Sequence, residues 1–297
     1  MAGNPNTVIV MGSSADSYFI GHGRRHFVEN MSPVFTNHAN TELNISMTTW
    51  VSMSKSLETW VDFNVATDKF HFNLGIKQDI RNHLSGANGK FAVDFVSFPD
   101  SDDPGHYFVN GKAPGAWTAE LPNYFIEKLT EMQRENPNFD TALEGMLFGK
   151  GKTHIYQFSG GFMADLDDEI TVEHPVYKTL SEFSGGGWCI ERGSTLCFYD
   201  SRFYYLKFKQ PGASTVQMRW NLPQNMSDKL AELKEVAQSP EEQMALIQED
   251  QKWMALGQAR INMQMQNTRM MVDVMKRGSL LILAAATGGT VVRRRHY

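Results

Sequence analysis

The stretch Asp16 to Val28, DSYFIGHGRRHFV, decides the fold, because four later segments repeat its design. An apolar run ending at Met11-Gly12 precedes it. A turn then leads to Tyr18-Phe19-Ile20, and a second turn to His26-Phe27-Val28. Short apolar runs bounded by Gly, Asp and Ser read as one three-stranded antiparallel meander. Similar meanders follow as WVSMSKSLETWVDF (50–63) with KFHF (69–72), FVSFPDSDDPGHYFV (95–109) with AWTAEL (116–121), GMLFGKGKTHIYQF (145–158) with FMADL (162–166), and WCIERGSTLCFY (188–199) with RFYYLKF (202–208).

The first strands align at Met11, Met53, Phe98, Phe148 and Ile190, in steps of 42, 45, 50 and 42 residues. The second align at Tyr18, Trp60, Tyr107, Ile155 and Cys197, and the third at Phe27, Phe70, Trp117, Phe162 and Tyr204. Short strands repeated at such a period are the signature of propeller blades, and the β-branched and aromatic runs exclude a helical solenoid. One such meander cannot bury both of its faces, whereas five packed radially cover one another and leave short edges. The 19 Phe, 9 Tyr and 6 Trp supply the large side chains for that packing. Short helices are expected between modules, at Ile76 to Leu84, at Pro122 to Leu129, and from Pro33, Pro175 and Pro223, since proline suits a helix's first turn.

In repeat length and strand order, residues 6 to about 232 resemble small β-propellers, either hemopexin-like domains or five-bladed lectins of the tachylectin type. The resemblance implies about five blades of 42–50 residues over 1–236; the character of the chain changes after that, and 237–297 read as a helical tail. Hemopexin-like domains have four blades, so their central ion site is not carried over.

The tail begins at Ser239-Pro240-Glu241-Glu242, with proline in the first turn and acids near the positive end of the helix dipole. It is expected to stay helical to about Arg277. Met244, Ile247, Met254, Ile261, Met265, Val272 and Met275 fall near one stripe. A methionine-lined face suits a partner or a second copy, or packs on the flank of the blades. Past Gly278 an uncharged run, SLLILAAATGGTVV, ends at Arg293-Arg294-Arg295. The run is shorter than the roughly 20 residues of a spanning helix. It fits a membrane surface, a buried helix or an oligomer contact.

The 297 residues are 41% apolar and carry a net charge of −5, with a pI near 6.0, which argues against nucleic acid as a partner. The first residues show no secretory signal, so a cytoplasmic location is the expectation, and there the sequons at Asn30, Asn44 and Asn225 carry no sugar. Cys189 and Cys197 fall on what reads as one hairpin about Arg192-Gly193-Ser194, as free core thiols or as a cross-strand disulfide.

Nucleophile-elbow, phosphate-loop, HExxH and CxxC motifs are missing, and no cofactor is implied. The densest polar cluster is GHGRRH; on a hairpin turn it suits an anion or a sugar better than a metal, and its plainer reading is a solvated tip. Asp100, Asp102 and Asp103 offer oxygens to calcium without EF-hand spacing, as does the acidic run 165–169, and solvated turns are the simpler account. A propeller glycosidase needs carboxylates on different inner strands, and the candidates are Asp94, Glu144 and Glu191. The leading expectation is a non-catalytic propeller that binds carbohydrate or protein through blade loops. Its candidate contacts are Tyr18, His22, Arg24, Arg25 and His26, with Trp60, Tyr107 and Trp117 as stacking surfaces, while the tail assembles copies or docks on a membrane. The alternative is a propeller hydrolase or cyclase acting on a small molecule in the central cavity.

Overall fold

The computed structural model describes residues 6–73, 75–86 and 92–286. It is mainly β, with small antiparallel sheets followed by a C-terminal helix. The first sheet holds β1 (Thr7–Met11), β2 (Tyr18–His22) and β3 (Arg25–Glu29), paired in that order. Helix α1 (Pro33–Thr41) follows, its first turn closed by Ser32, whose Oγ accepts from the Phe35 amide. The second sheet is β4 (Thr48–Met53), β5 (Trp60–Asn64) and β6 (Lys69–Phe72), then α2 (Gln78–Leu84). The third is β7 (Val93–Ser97), β8 (Tyr107–Gly111) and β9 (Trp117–Glu120), then α3 (Asn123–Glu135) and α4 (Phe139–Ala142). The fourth is β10 (Leu143–Phe148), β11 (His154–Phe158) and β12 (Gly161–Asp165), then α5 (Pro175–Glu182).

The fifth sheet departs from the hairpin expected about Arg192. Strands β13 (Cys189–Ile190) and β14 (Thr195–Leu196) do not pair with each other; both pair with β15 (Tyr204–Lys209), whose far side carries β16 (Gln217–Asn221). They are two pieces of one strand interrupted by Glu191–Ser194, where Gly193 has φ 80°. The interruption is stitched to β15: the Glu191 amide donates to the Lys207 carbonyl and the Lys207 amide to Ser194 Oγ. The second and third columns of this module therefore belong at β15 and β16, one strand later than the pattern places them. Cys189 and Cys197 are both free thiols, the first half-buried and the second buried.

Burial explains why these runs are strands. All of β1 and β2 is buried on both faces, whereas β3 has exposed ends and a half-buried centre, and the third strands of the next three sheets are likewise half-buried or exposed. Continuous apolar runs such as TVIVM belong to strands covered on both sides. Consecutive first strands are neighbours: β1 lies by β4, β4 by β7, β7 by β10, β10 by β14, and β14 returns to β1.

Aromatic clusters fill the spaces between neighbouring sheets. Phe35 of α1 packs with Val8 and Phe19 of the first sheet and Trp60 of the second. Trp50 of the second meets Phe95 of the third edge-on at 5.1 Å. Phe125 of α3 joins Phe108 of the third sheet to Phe148 of the fourth. Phe162 of the fourth lies 5.9 Å from Phe208 of the fifth, which stacks on Phe183 at 3.9 Å. Ile9 and Ile20 of the first sheet share a cluster with Tyr205 and Leu222 of the fifth, covered by Met226, Leu230 and Leu233 of α6 (Gln224–Ala237).

The last element is α7 (Pro240–Ala286), longer than the expected end at Arg277. The chain separates into two compact units, Met1–Leu246 and Ile247–Tyr297. Met244, Ile247, Met254, Ile261 and Met265 are exposed on α7, while the side chains of Val272 and Met275 lie outside the described ones. Among the described residues no helix is long and apolar enough to cross a membrane. Residues 287–297, with the end of the uncharged run and the terminal arginines, lie outside the described residues.

Trp50 is 1% exposed and bridges two sheets. Truncation Trp50→Ala is expected to cost about 3–5 kcal/mol, as large-to-small changes in packed cores do. Urea denaturation checks it, and a loss below about 1 kcal/mol would mean that the seam between the second and third sheets is not tightly packed.

Candidate functional site

Where the five first strands meet, inward side chains leave almost no space. Val10, Trp50, Phe95, Leu147 and Leu196, with Ser52, Ser97 and Thr195, enclose a hollow of about 40 Å³. That holds a few waters, since each needs roughly 10–15 Å³ by the same measure. A small-molecule substrate does not fit there.

At the beginnings of the third and fourth of these strands the surface opens. Asp94 of β7 and Glu144 of β10 meet Glu191 and Arg192, which follow β13. The three carboxylates singled out from sequence thus share one place, organised by a guanidinium that the sequence reading left inside a turn. Arg192 Nη2 donates to Asp94 Oδ2 at 2.7 Å and to the Glu144 carbonyl, Nη1 donates to Gln157 Oε1 at 3.1 Å, and the guanidinium lies 4.5 Å over the Phe95 ring. Gly145 permits this close approach, because a Cβ there would lie 2.4 Å from both Arg192 Nη1 and Gln157 Oε1.

Two hollows flank the ion pair and share Asp94, Glu144, Ser159 and Arg192. One, of about 250 Å³, is completed by Cys189, Glu191, Lys209 and Gln210. The other, of about 360 Å³, reaches Asn110, Lys112 and Thr141. Partial desolvation raises the Glu144 carboxyl above the ordinary range, Asp94 and Glu191 push the same way, and Arg192 opposes them. Burial, then the charges of Glu144 and Glu191, raise the Cys189 thiol, which makes it a poor nucleophile at neutral pH. Behind the mouth, burial pulls the Lys207 ammonium down to about 8 against the charge of Glu191. A lysine in the middle of YYLKF was the sequence signal for it.

The other sequence candidates do not share a surface. Tyr18, Trp60 and Tyr107 are buried, so they present no ring to a ligand. The second strands are covered on both faces, which is why these aromatics are core. Trp117 is half-buried and stacks on Phe108 at 5.8 Å. His22 is buried with Nδ1 2.8 Å from Thr7 Oγ1, and His26 meets Asn40 Oδ1 at 3.0 Å. The hairpin tip is not simply solvated: Arg25 donates twice to Glu242 at the start of α7, at 2.8 and 2.5 Å, and Arg24 lies 3.7 Å from the same carboxylate. Asp100 and Asp102 are occupied by Lys55 at 2.9 and 3.2 Å, and Asp103 caps the Gly105 amide at 2.7 Å. These oxygens neutralise a lysine and close a turn rather than converge on a cation. Elsewhere, His38, Asp62 and His71 bring ligand atoms within 4.8 Å of one another.

No protein-family model matches the chain, and no curated protein or solved structure is found to be similar to it.

Burial lowers the His22 imidazole to about 4, with Lys234 adding to the effect. Between pH 6.5 and 4 the unfolded chain therefore binds a proton that the folded one refuses. This contribution to stability is complete above pH 6.5 and is lost as pH falls through that window. Denaturation followed from pH 7 to 4 is expected to fall less steeply for His22→Asn than for the wild-type chain. Parallel curves would show that His22 takes up its proton in the folded state.

Proposed function

We propose that the chain is a five-bladed β-propeller working as a non-catalytic recognition module, with a hydroxyl-rich ligand, a carbohydrate, bound at the mouth around Arg192. The return of β14 to β1, the cluster that joins the first and fifth sheets, and a repeat length resembling that of small propeller lectins support the propeller reading. The observation that carries the function is the contrast between the filled centre and the open polar mouth. Glu144, Glu191 and Asp94 accept hydrogen bonds from ligand hydroxyls, Lys209 and Gln210 donate, and Arg192, held on three sides, orients the set. Fixed charged groups of both signs suit a neutral polyol better than an apolar ligand or a polyanion. The net charge of −5 likewise disfavours nucleic acid.

Glycoside hydrolysis is the second reading, and the raised carboxyl of Glu144 beside Asp94 and Glu191 favours it. A carboxyl held above its ordinary range beside a second carboxyl is what that chemistry requires. Because the hollow lies at the mouth and the centre is filled, binding remains the leading reading.

The tail is assigned to assembly. Ile247, Met254 and Ile261 are spaced by seven residues, and Met244 and Met265 fall on the adjoining row, which is the spacing of a helix-pairing seam. A membrane surface is the competing destination. A cytoplasmic location accords with two free thiols.

A glycan array followed by calorimetry tests the binding reading. Arg192→Lys, which loses the planar fork, is expected to weaken binding at least about tenfold. If wild-type protein cleaves aryl glycosides and Glu144→Gln does not, the hydrolase reading replaces it. Silence on the array and with glycosides overturns both. For the tail, light scattering is expected to give a multiple of the chain mass for the full chain and one chain mass for a chain ending at Leu246. A monomeric full chain that sediments with anionic vesicles would move the assignment to a membrane.

A further inference from the structure

A polar cluster remote from the mouth is placed by three elements. His38 lies on α1, and Asp62 and His71 are directly opposite one another on β5 and β6. Asp62 is fully buried, and each of its oxygens meets an imidazole: His38 Nε2 at 2.7 Å from Oδ2 and His71 Nδ1 at 2.9 Å from Oδ1. The His38 ring is 6% exposed and stacks on Trp60, with ring centroids 4.6 Å apart and planes 23° from parallel. That contact fixes the direction of both its nitrogens.

The other nitrogen of His38 matters most. Nδ1 lies 3.3 Å from Oε2 of Glu42, one turn further along the chain, so both ring nitrogens face carboxylate oxygens. A neutral imidazole carries one N–H and can donate to only one of them. If Nδ1 donates to Glu42, the Nε2 lone pair points at the lone pairs of Asp62, a repulsion inside a buried site. A cation between Nε2 and Asp62 satisfies both contacts at once, because Nδ1 is then free to donate to Glu42. With a cation there, the Glu42 contact becomes the carboxylate-to-histidine hydrogen bond that usually fixes the tautomer of a metal-bound imidazole.

We propose that His38, Asp62 and His71 bind one divalent transition-metal ion of the zinc type, with Glu42 positioning His38 and water completing the coordination. Two imidazole nitrogens and one carboxylate oxygen suit zinc or cobalt rather than calcium or magnesium, which take oxygen ligands. A tetrahedral ion with bonds of about 2.0–2.1 Å holds its ligand atoms about 3.3 Å apart. The three candidate ligand atoms lie within 4.8 Å of one another, so adopting that spacing needs a shift of the His71 ring, which its place on an outer strand allows. The His71 side chain is 30% exposed, which gives the ion a way in. Bound there, the metal ties α1 to the second sheet beside the Phe35 and Trp60 contact. This site is independent of the carbohydrate reading of the mouth.

The test uses the full chain without an affinity tag, stripped with EDTA, given Zn²⁺ and desalted. Elemental analysis is expected to find close to one zinc per chain, and Co²⁺ loading to give the intense visible absorption of a tetrahedral nitrogen and oxygen site. His71→Ala, which removes a partly exposed ring, is expected to weaken zinc binding at least about tenfold and to abolish the rise in melting temperature on zinc addition; Asp62→Asn gives the same result where it folds. Wild-type protein that retains no zinc after desalting, or His71→Ala that retains as much as wild type, overturns the proposal and leaves the cluster as a hydrogen-bonded histidine and aspartate network.

Discussion

The packing of the fifth sheet against the first is the contact on which the rest depends. Ile9 and Ile20 on one side and Tyr205 and Leu222 on the other belong to segments nearly two hundred residues apart, and α6 seals them with Met226, Leu230 and Leu233. The other seams join sheets that follow one another in the chain, so little entropy separates their partners before folding. This one has the longest loop to close. It also lies against β1, which is buried along its whole length. Its side chains are accordingly large and apolar, with α6 laid across β2 as a cover.

The same arrangement explains why the polar residues collect where they do. Inward positions of the first strands are filled by Val10, Trp50, Phe95 and Leu147, so a charge on these strands survives only at their ends. Asp94 and Glu144 sit at such ends. The break in the fifth sheet places Arg192 among them without removing its neighbours from β15, because Glu191 and Ser194 recover their hydrogen bonds with Lys207. A bulge that adds residues to one strand while the partner continues is a common way to aim a side chain into a site.

Much of the architecture was legible because strand periodicity and turn residues are local signals. The expected first four meanders coincide with β1 to β12, since Tyr18, Trp60, Tyr107 and Ile155 each lie on the middle strand of a sheet. The fifth failed for a local reason as well: Arg192-Gly193-Ser194 has the composition of a hairpin turn, and a positive-φ glycine serves a bulge equally well. The carboxylates of the mouth were legible as charges on inner strands, but Arg192 was hidden in that supposed turn. Arg24 and Arg25 looked free because Glu242 stands 217 residues beyond Arg25. Trp60 and Tyr107 looked like ligand platforms because an aromatic residue reads the same whether it is covered or bare. The grouping of His38, Asp62 and His71 is a matter of tertiary contact, joining a helix to a hairpin 24 residues away, and periodicity has no power over it.

The outermost strand of each sheet carries a different burden. Among the described residues β3, β6, β9, β12 and β16 each pair with one strand only, so each has an edge that an extended chain could pair with. Arg25 and Glu29 stand at the ends of β3, Lys69 opens β6, Glu120 ends β9 and Asp165 ends β12. A chain adding itself to one of these edges would have to desolvate those charges or find their complement, and a short strand returns few hydrogen bonds for doing so. The charged residues at these strand ends weigh against the pairing of copies edge to edge.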